Sequence, residues 1–182
     1  MDATNIDLKA FTDGFYRDLC SADLKPVLET LEYVKRETSV WLEITTVLIP
    51  GRNDSASEIA ALSEWIISRL GPDVPLHFSA FHPDWRMRDV PGTPAATLDL
   101  ARRIAKRVGL RHVYTGNIHD ESGQSTYCHA CGSCIVGRNW YEITSWALNE
   151  SGCCQSCGAR CPGVFEERPG LWGARRMSIA LS

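Results

Sequence analysis

No apolar run in the sequence approaches the ~18 residues that a membrane span requires. The first residues, MDATNIDLKAF, lack the basic stretch followed by an apolar one that marks an export signal. A reducing cytoplasm is therefore the expected compartment, and disulfides are disfavoured there. Positive charge is not in excess either. Lys and Arg number 19 against 22 Asp and Glu, a net charge of -3, which lacks the basic footprint of a nucleic-acid binder. The locally basic run RRIAKRVGLRH reads as the solvated face of a helix. Neither a membrane nor a nucleic-acid partner is expected. Cysteine is absent from the first 127 residues except for Cys20, which reads as a small buried residue.

What is present is a chain of 182 residues, long enough for one ordinary domain and a small appendage. Residues 5–118 alternate between two periods. NIDLKAF reads as a strand. Pro26 sits in the first turn of a helix whose buried face carries Val27, Leu31 and Val34. VWLEITTVLI is nearly continuous in apolar content and reads as a strand covered on both faces. Ser55 and Glu58 have capping-box spacing, and Ile59, Leu62, Ile66 and Leu70 form the stripe of the next helix. PLHFSAF is a third strand. Thr93-Pro94 opens a third helix as cap and first residue, with Asn53 and Asp54 expected as caps of the helix before it. HVYTGNI is a fourth strand. The order β-α-β-α-β-α-β predicts an α/β fold with a parallel sheet, the equivalent of half a (β/α) barrel, over residues 1–122. Ligands of such sheets bind at the carboxyl ends of the strands. A strand entered within five residues of Met1 leaves an open edge, so upstream sequence or a partner is expected to complete the sheet.

Residues 123–182 follow another pattern. Cys128 and Cys131 precede Gly132, and Cys154 and Cys157 precede Gly158. Each C-x-x-C-G is a knuckle, in which glycine permits the turn that aims backbone amides at the thiolates. Two knuckles joined by a hairpin predict a zinc-ribbon-like module with four thiolates around one structural zinc. Such an ion would replace a core that so short a segment cannot build. The ferredoxin spacing C-x2-C-x2-C-x3-C is not completed, because the position after Cys134 that needs a fourth cysteine holds Arg138. Cys134, Cys153 and Cys161 remain as neighbours able to replace a ligand, and His129 reads as a bystander.

At NIDLKAF, EITTVLIPGRND, FSAFHPDWRM and YTGNIHD, and through the two knuckles to PGVFEERPGLWGARRM, the sequence resembles the radical-SAM protein of the AmmeMemoRadiSam system. That family is related to the activating enzymes of glycyl-radical enzymes such as pyruvate formate-lyase. The resemblance implies a partial (β/α) barrel that binds S-adenosylmethionine on a [4Fe-4S] cluster and cleaves it reductively to a 5′-deoxyadenosyl radical. It further implies that Lys9, in Asp7-Leu8-Lys9, meets the carboxylate of S-adenosylmethionine. His82 would contact the ribose or adenine, and Asn117 would line the site. The family's cluster ligands come as C-x3-C-x2-C after the first barrel strand, and this sequence has no such motif. It therefore reads as the C-terminal portion of such a protein, inactive alone, whose partner is a missing or separately encoded N-terminal half. The alternative is a zinc-ribbon binding module that docks a partner. A hydrolase built on Asp7, Glu43, His82 and His119 finds no nucleophile–base motif to support it.

Overall fold

In the computed structural model, residues 1–170 are described. Residues 171–182, which include the end of PGVFEERPGLWGARRM, lie outside the described residues. The chain divides into two units, Met1–Ile118 and the residues from His119 onward.

The first unit is built from alternating strand and helix. β1 (Ala3–Asp7) is followed by a short helical turn, α1 (Asp13–Phe15), that widens over Tyr16–Cys20. Then come α2 (Leu24–Glu37), β2 (Trp41–Leu48), α3 (Ala56–Leu70), β3 (Leu76–Ala80), α4 (Ala95–Val108) and β4 (Val113–Gly116). The four strands are parallel and lie in the order β1-β2-β3-β4. Leu31 of α2, Ile59, Leu62 and Ile66 of α3, and Leu98, Ala101 and Ala105 of α4 join one core with Leu42, Ile44, Leu76, Phe78 and Val113 of the sheet. All three helices thus cover the same face. A doubly wound sheet would reverse its strand order and place helices on both faces, whereas sequential order with one-sided helices is the arrangement of consecutive barrel units.

This one-sidedness corrects the reading of β2 as covered on both faces. Leu42, Ile44, Thr46 and Leu48 are buried, but Trp41, Glu43, Thr45 and Val47 alternate with them and are half-buried. The same alternation runs through β3 and β4. Among the described residues the second face of the sheet is therefore only half-buried.

Several loop residues do other work than their sequence pattern suggests. Ser55 caps α3 by accepting from the Glu58 amide at 3.2 Å. The Glu58 carboxylate does not return the bond and instead accepts from the Phe11 amide at 2.8 Å. Thr93 is not the cap of α4. Its hydroxyl donates to the Leu48 carbonyl and accepts from the Phe81 amide, tying the ends of β2 and β3 together. Asn53 is buried and caps no helix; its amide bridges backbone groups at the ends of β1 and β2. In each case a buried backbone group without a ladder partner outcompetes the helix end, because leaving it unpaired costs about 1–3 kcal/mol.

The second unit contains α5 (Glu121–Gln124) and a small antiparallel sheet of β5 (Thr126–Tyr127), β6 (Cys134–Asn139) and β7 (Glu142–Trp146), in the order β5-β6-β7. Arg138, where a ferredoxin pattern needs cysteine, donates to the Gln124 carbonyl and the Thr126 hydroxyl and so staples the sheet to α5. Among the described residues the buried apolar side chains here are few: Cys128, Ile135, Val136, Leu148, Cys154 and Cys161.

Candidate functional site

Among the described residues, chemistry-bearing side chains gather in two places, one in each unit.

In the second unit the knuckles adopt the same local structure. The Gly132 amide donates to the Cys128 carbonyl at 2.9 Å, and the Gly158 amide donates to the Cys154 carbonyl at 2.8 Å. Both glycines have positive φ, 76° and 75°, a conformation that side chains resist. Each turn is closed at its base, Cys128 N to Ser133 O and Cys154 N to Ala159 O, both at 2.8 Å. The outcome is that the sulfurs of Cys128, Cys131, Cys154 and Cys157 all lie within 4.8 Å of one another. Cys128 and Cys157 are 3.6 Å apart, and Cys131 and Cys154 are 3.8 Å apart. A tetrahedral ion with metal–sulfur bonds of about 2.3 Å sets its sulfurs about 3.8 Å apart. The four thiols therefore fit one metal ion. They do not fit a [4Fe-4S] cluster, whose cysteines each hold a different corner of a cube and must stand further apart. Cys134, Cys153 and Cys161 do not belong to the group of four. The Cys161 and Cys153 thiols point instead to carbonyls, those of Pro162 and Ser151.

Crowding shows in the acidities. Hydrogen bonds from the Ser133 hydroxyl and amide, then from Cys157, pull the Cys131 thiol down to about 6. Burial opposes ionisation of Cys154, yet the Cys157 and Ser156 amides outweigh it and lower its pKa. The Ala159 amide favours a thiolate at Cys157, but the Cys131, Cys128 and Cys154 thiols together hold Cys157 up to about 12. Four sulfurs this close cannot all ionise by themselves. A cation among them removes that conflict, since a coordinated thiol gives up its proton to the ion's charge.

In the first unit the site is the half-buried face of the parallel sheet. β1 ends at Asp7, one turn of the pleat before Lys9, yet Lys9 stays on the same side because Leu8 and Ala10 are buried on the other. The Lys9 ammonium lies 2.6 Å from Asp7 Oδ2, and both side chains are about half-exposed. The Lys9 backbone is anchored by side chains from other elements. The Lys9 amide donates to the Tyr16 hydroxyl at 3.0 Å and the Lys9 carbonyl accepts from Asn53 at 2.7 Å. Tyr16 is buried, and that burial raises its pKa. Cys20, half-buried rather than buried, also has its pKa raised by burial, with Lys9 acting the other way.

His82 lies two residues past β3 on an exposed loop. Asn117 follows β4 in a left-handed conformation, φ 60°, and donates to the Ala80 carbonyl at 3.2 Å. Asp7, Lys9, His82 and Asn117 thus all stand at the carboxyl ends of the strands, but among the described residues Asp7 and Lys9 alone touch. The structure adds a row that sequence reasoning missed. Asp7, Thr45, His77 and Tyr114 are register partners across the four strands. His77 Nε2 is 2.8 Å from Glu43 Oε2, and its ring stacks on Tyr114 at 4.9 Å. Glu43 also accepts from the Trp41 indole at 3.1 Å. Glu43 therefore partners His77, while His119 belongs to the second unit and accepts from the Trp140 indole. The period of two in EIT and HFS carried the signal, but register across strands was needed to read it.

No family profile matches the chain. It is 39% identical over 161 residues, 88% of its length, to an uncharacterized protein of Methanocaldococcus jannaschii, and spans 48% of that relative. Among solved structures it resembles a domain of pyruvate-formate lyase-activating enzyme from Bacteroides vulgatus, with a TM-score of 0.55 and 18% identity over 64% of this chain and 68% of that one. At that identity the likeness is one of fold. No helix among the described residues is long and apolar enough to cross a membrane.

Proposed function

We propose that this chain is the cofactor-positioning, zinc-bearing portion of a radical S-adenosylmethionine protein of the AmmeMemoRadiSam type, related to glycyl-radical activases. Lys9 carries the proposal. It is a half-exposed ammonium on the half-buried face of a barrel-like sheet, at the strand ends where ligands of such folds bind. A carboxylate-bearing ligand would displace Asp7 from it. His82 and Asn117 stand at the ends of the neighbouring strands, where the adenosine part of the ligand would lie. Cys128, Cys131, Cys154 and Cys157 hold a structural zinc; with four thiolates the ion keeps no open position and takes no part in chemistry. The fold likeness to an activating-enzyme domain supports this assignment.

The chain's own cysteines do not suit a [4Fe-4S] cluster, so the electron-delivering part of the activity belongs to a partner polypeptide or a longer form of the protein. Lys9, by contrast, can be tested in this chain. Calorimetric titration of S-adenosylmethionine into the zinc-loaded chain is expected to show saturable binding. Lys9→Ala is expected to weaken it about 10–100-fold, since a hydrogen bond to a charged group contributes about 1.5–3 kcal/mol. Equal affinity in the two proteins, or no binding by either, sinks the proposal. With iron, sulfide and dithionite added, the chain alone is expected to release no 5′-deoxyadenosine.

A further inference from the structure

We propose that Asn53 is a positioning residue for Lys9, setting where the ammonium meets the carboxylate of its ligand. The inference rests on the reading of Lys9 as the carboxylate-binding group and assigns a role to the Asn of Pro50-Gly51-Arg52-Asn53-Asp54. Asn53 is 2% exposed, although it lies in a loop. Its three polar contacts span two strand ends. The side-chain NH2 donates to the Lys9 carbonyl at 2.7 Å and to the Val47 carbonyl at 2.9 Å. Its oxygen accepts from the Ile49 amide at 2.7 Å. An Asn in that geometry uses both donors and its acceptor, which neither Asp nor Leu of similar size can do.

The clamp has a second jaw. Thr46, also buried, donates its hydroxyl to the Leu8 carbonyl at 2.7 Å. Beyond Asp7 the strand ladder continues only through the Leu8 amide, which donates to Thr45 at 3.0 Å. From there to Phe11, side chains replace the ladder: Thr46 on Leu8, Asn53 and Tyr16 on Lys9, and Glu58 on Phe11. A flexible post-strand segment would let Lys9 fall back toward solvent. Here its backbone is fixed on both sides, while Leu8 and Ala10 are sunk in the core. Asn53 touches no ligand itself; it acts through the Lys9 backbone.

The test is calorimetric titration of S-adenosylmethionine into zinc-loaded wild type, Asn53→Asp, Lys9→Ala and the double variant. It is joined by NMR of the lysine ε-methylenes, which are few enough to assign because the chain has four lysines. Asn53→Asp keeps the acceptor for Ile49 and loses the donors to both carbonyls. It is expected to weaken binding about tenfold, to move the Lys9 ε-methylene resonance, and to add nothing once Lys9 is Ala. Should Asn53→Asp fail to fold, Thr46→Val removes the second jaw at constant shape and is expected to give the same pattern with a smaller loss. Wild-type affinity in these variants while Lys9→Ala is impaired overturns the inference and leaves the Lys9 reading intact. So does a loss that adds in full to that of Lys9→Ala. If Lys9→Ala itself binds normally, the reading of Lys9 falls first.

Discussion

Removing the metal is expected to unfold the second unit and leave the first intact. The buried aliphatic side chains that hold the knuckles are Ile135, Val136 and Leu148; the other fully buried members of that core are cysteines. Three such side chains contribute about 1.5–3 kcal/mol each. A structural zinc contributes on the order of 10–16 kcal/mol. Even with the partly buried Ile143, Trp146 and Phe165 beside them, an ion held by the four thiols would contribute as much as or more than the core to folding the module. The perturbation is a chelator of high zinc affinity, or Cys157→Ser, which keeps the shape but removes a thiolate. The assay follows the methyl resonances of Val136 and Leu148 beside those of Ile44 and Leu76 in the parallel sheet, with metal content measured in parallel. The expected outcome is one zinc per chain at the start, collapse of the Val136 and Leu148 dispersion as zinc leaves, and unchanged signals from Ile44 and Leu76. Persistent dispersion at Val136 and Leu148 with the metal gone would refute the reasoning, as would iron and sulfide in place of zinc.

Two further outcomes follow from single contacts. Burial raises the Tyr16 pKa in the folded chain, so the protonated phenol is favoured by folding. Its stabilising effect is complete below the ordinary value near 10 and is lost as pH climbs from there through the raised folded value, by at most about 1.4 kcal/mol per pH unit. Chemical denaturation between pH 9 and 11 should show a steeper loss in wild type than in Tyr16→Phe; parallel curves would count against it. Gly137 sits where the β6–β7 register shifts, and a methyl group there would press on the Ser145 and Thr144 hydroxyls and come within 3.3 Å of the Ser145 amide. Gly137→Ala is expected to cost about 1–3 kcal/mol, read as faster zinc loss to a competing chelator, and an unchanged rate would contradict it.

The parts of the structure that were legible in the sequence are those encoded locally. The stripe Ile59, Leu62, Ile66 and Leu70 gave α3, and glycines after C-x-x-C gave both knuckles, because spacing within a few residues determines which face is buried and which amides turn inward. β1 begins earlier and ends earlier than NIDLKAF suggests, since backbone pairing with Trp41–Thr45 and not side-chain pattern sets its limits. Thr93, Asn53 and Glu58 carried correct capping chemistry but were drawn to partners 12 to 47 positions away. The contacts of His77 with Glu43 and Tyr114 were hidden for the same reason. Each residue looks ordinary in its own strand, and the contacts exist only once three strands are laid side by side. A nearly unbroken apolar run such as WLEITTVLI does not by itself reveal whether one face or two are covered; that depends on where the helices go.

The knuckles are also separated in time. Cys154 follows Cys131 by 23 positions. At a synthesis rate of about 5–20 residues per second, the second pair of thiols leaves the ribosome about 1–5 s after the first. During that interval the nascent chain already carries all four parallel strands but only half a metal cage. Two thiols alone would hold an ion loosely, so an ion bound by all four could be captured only after Cys157 has been made. A cell short of such an ion would accumulate chains whose parallel sheet is formed and whose two knuckles are not yet joined.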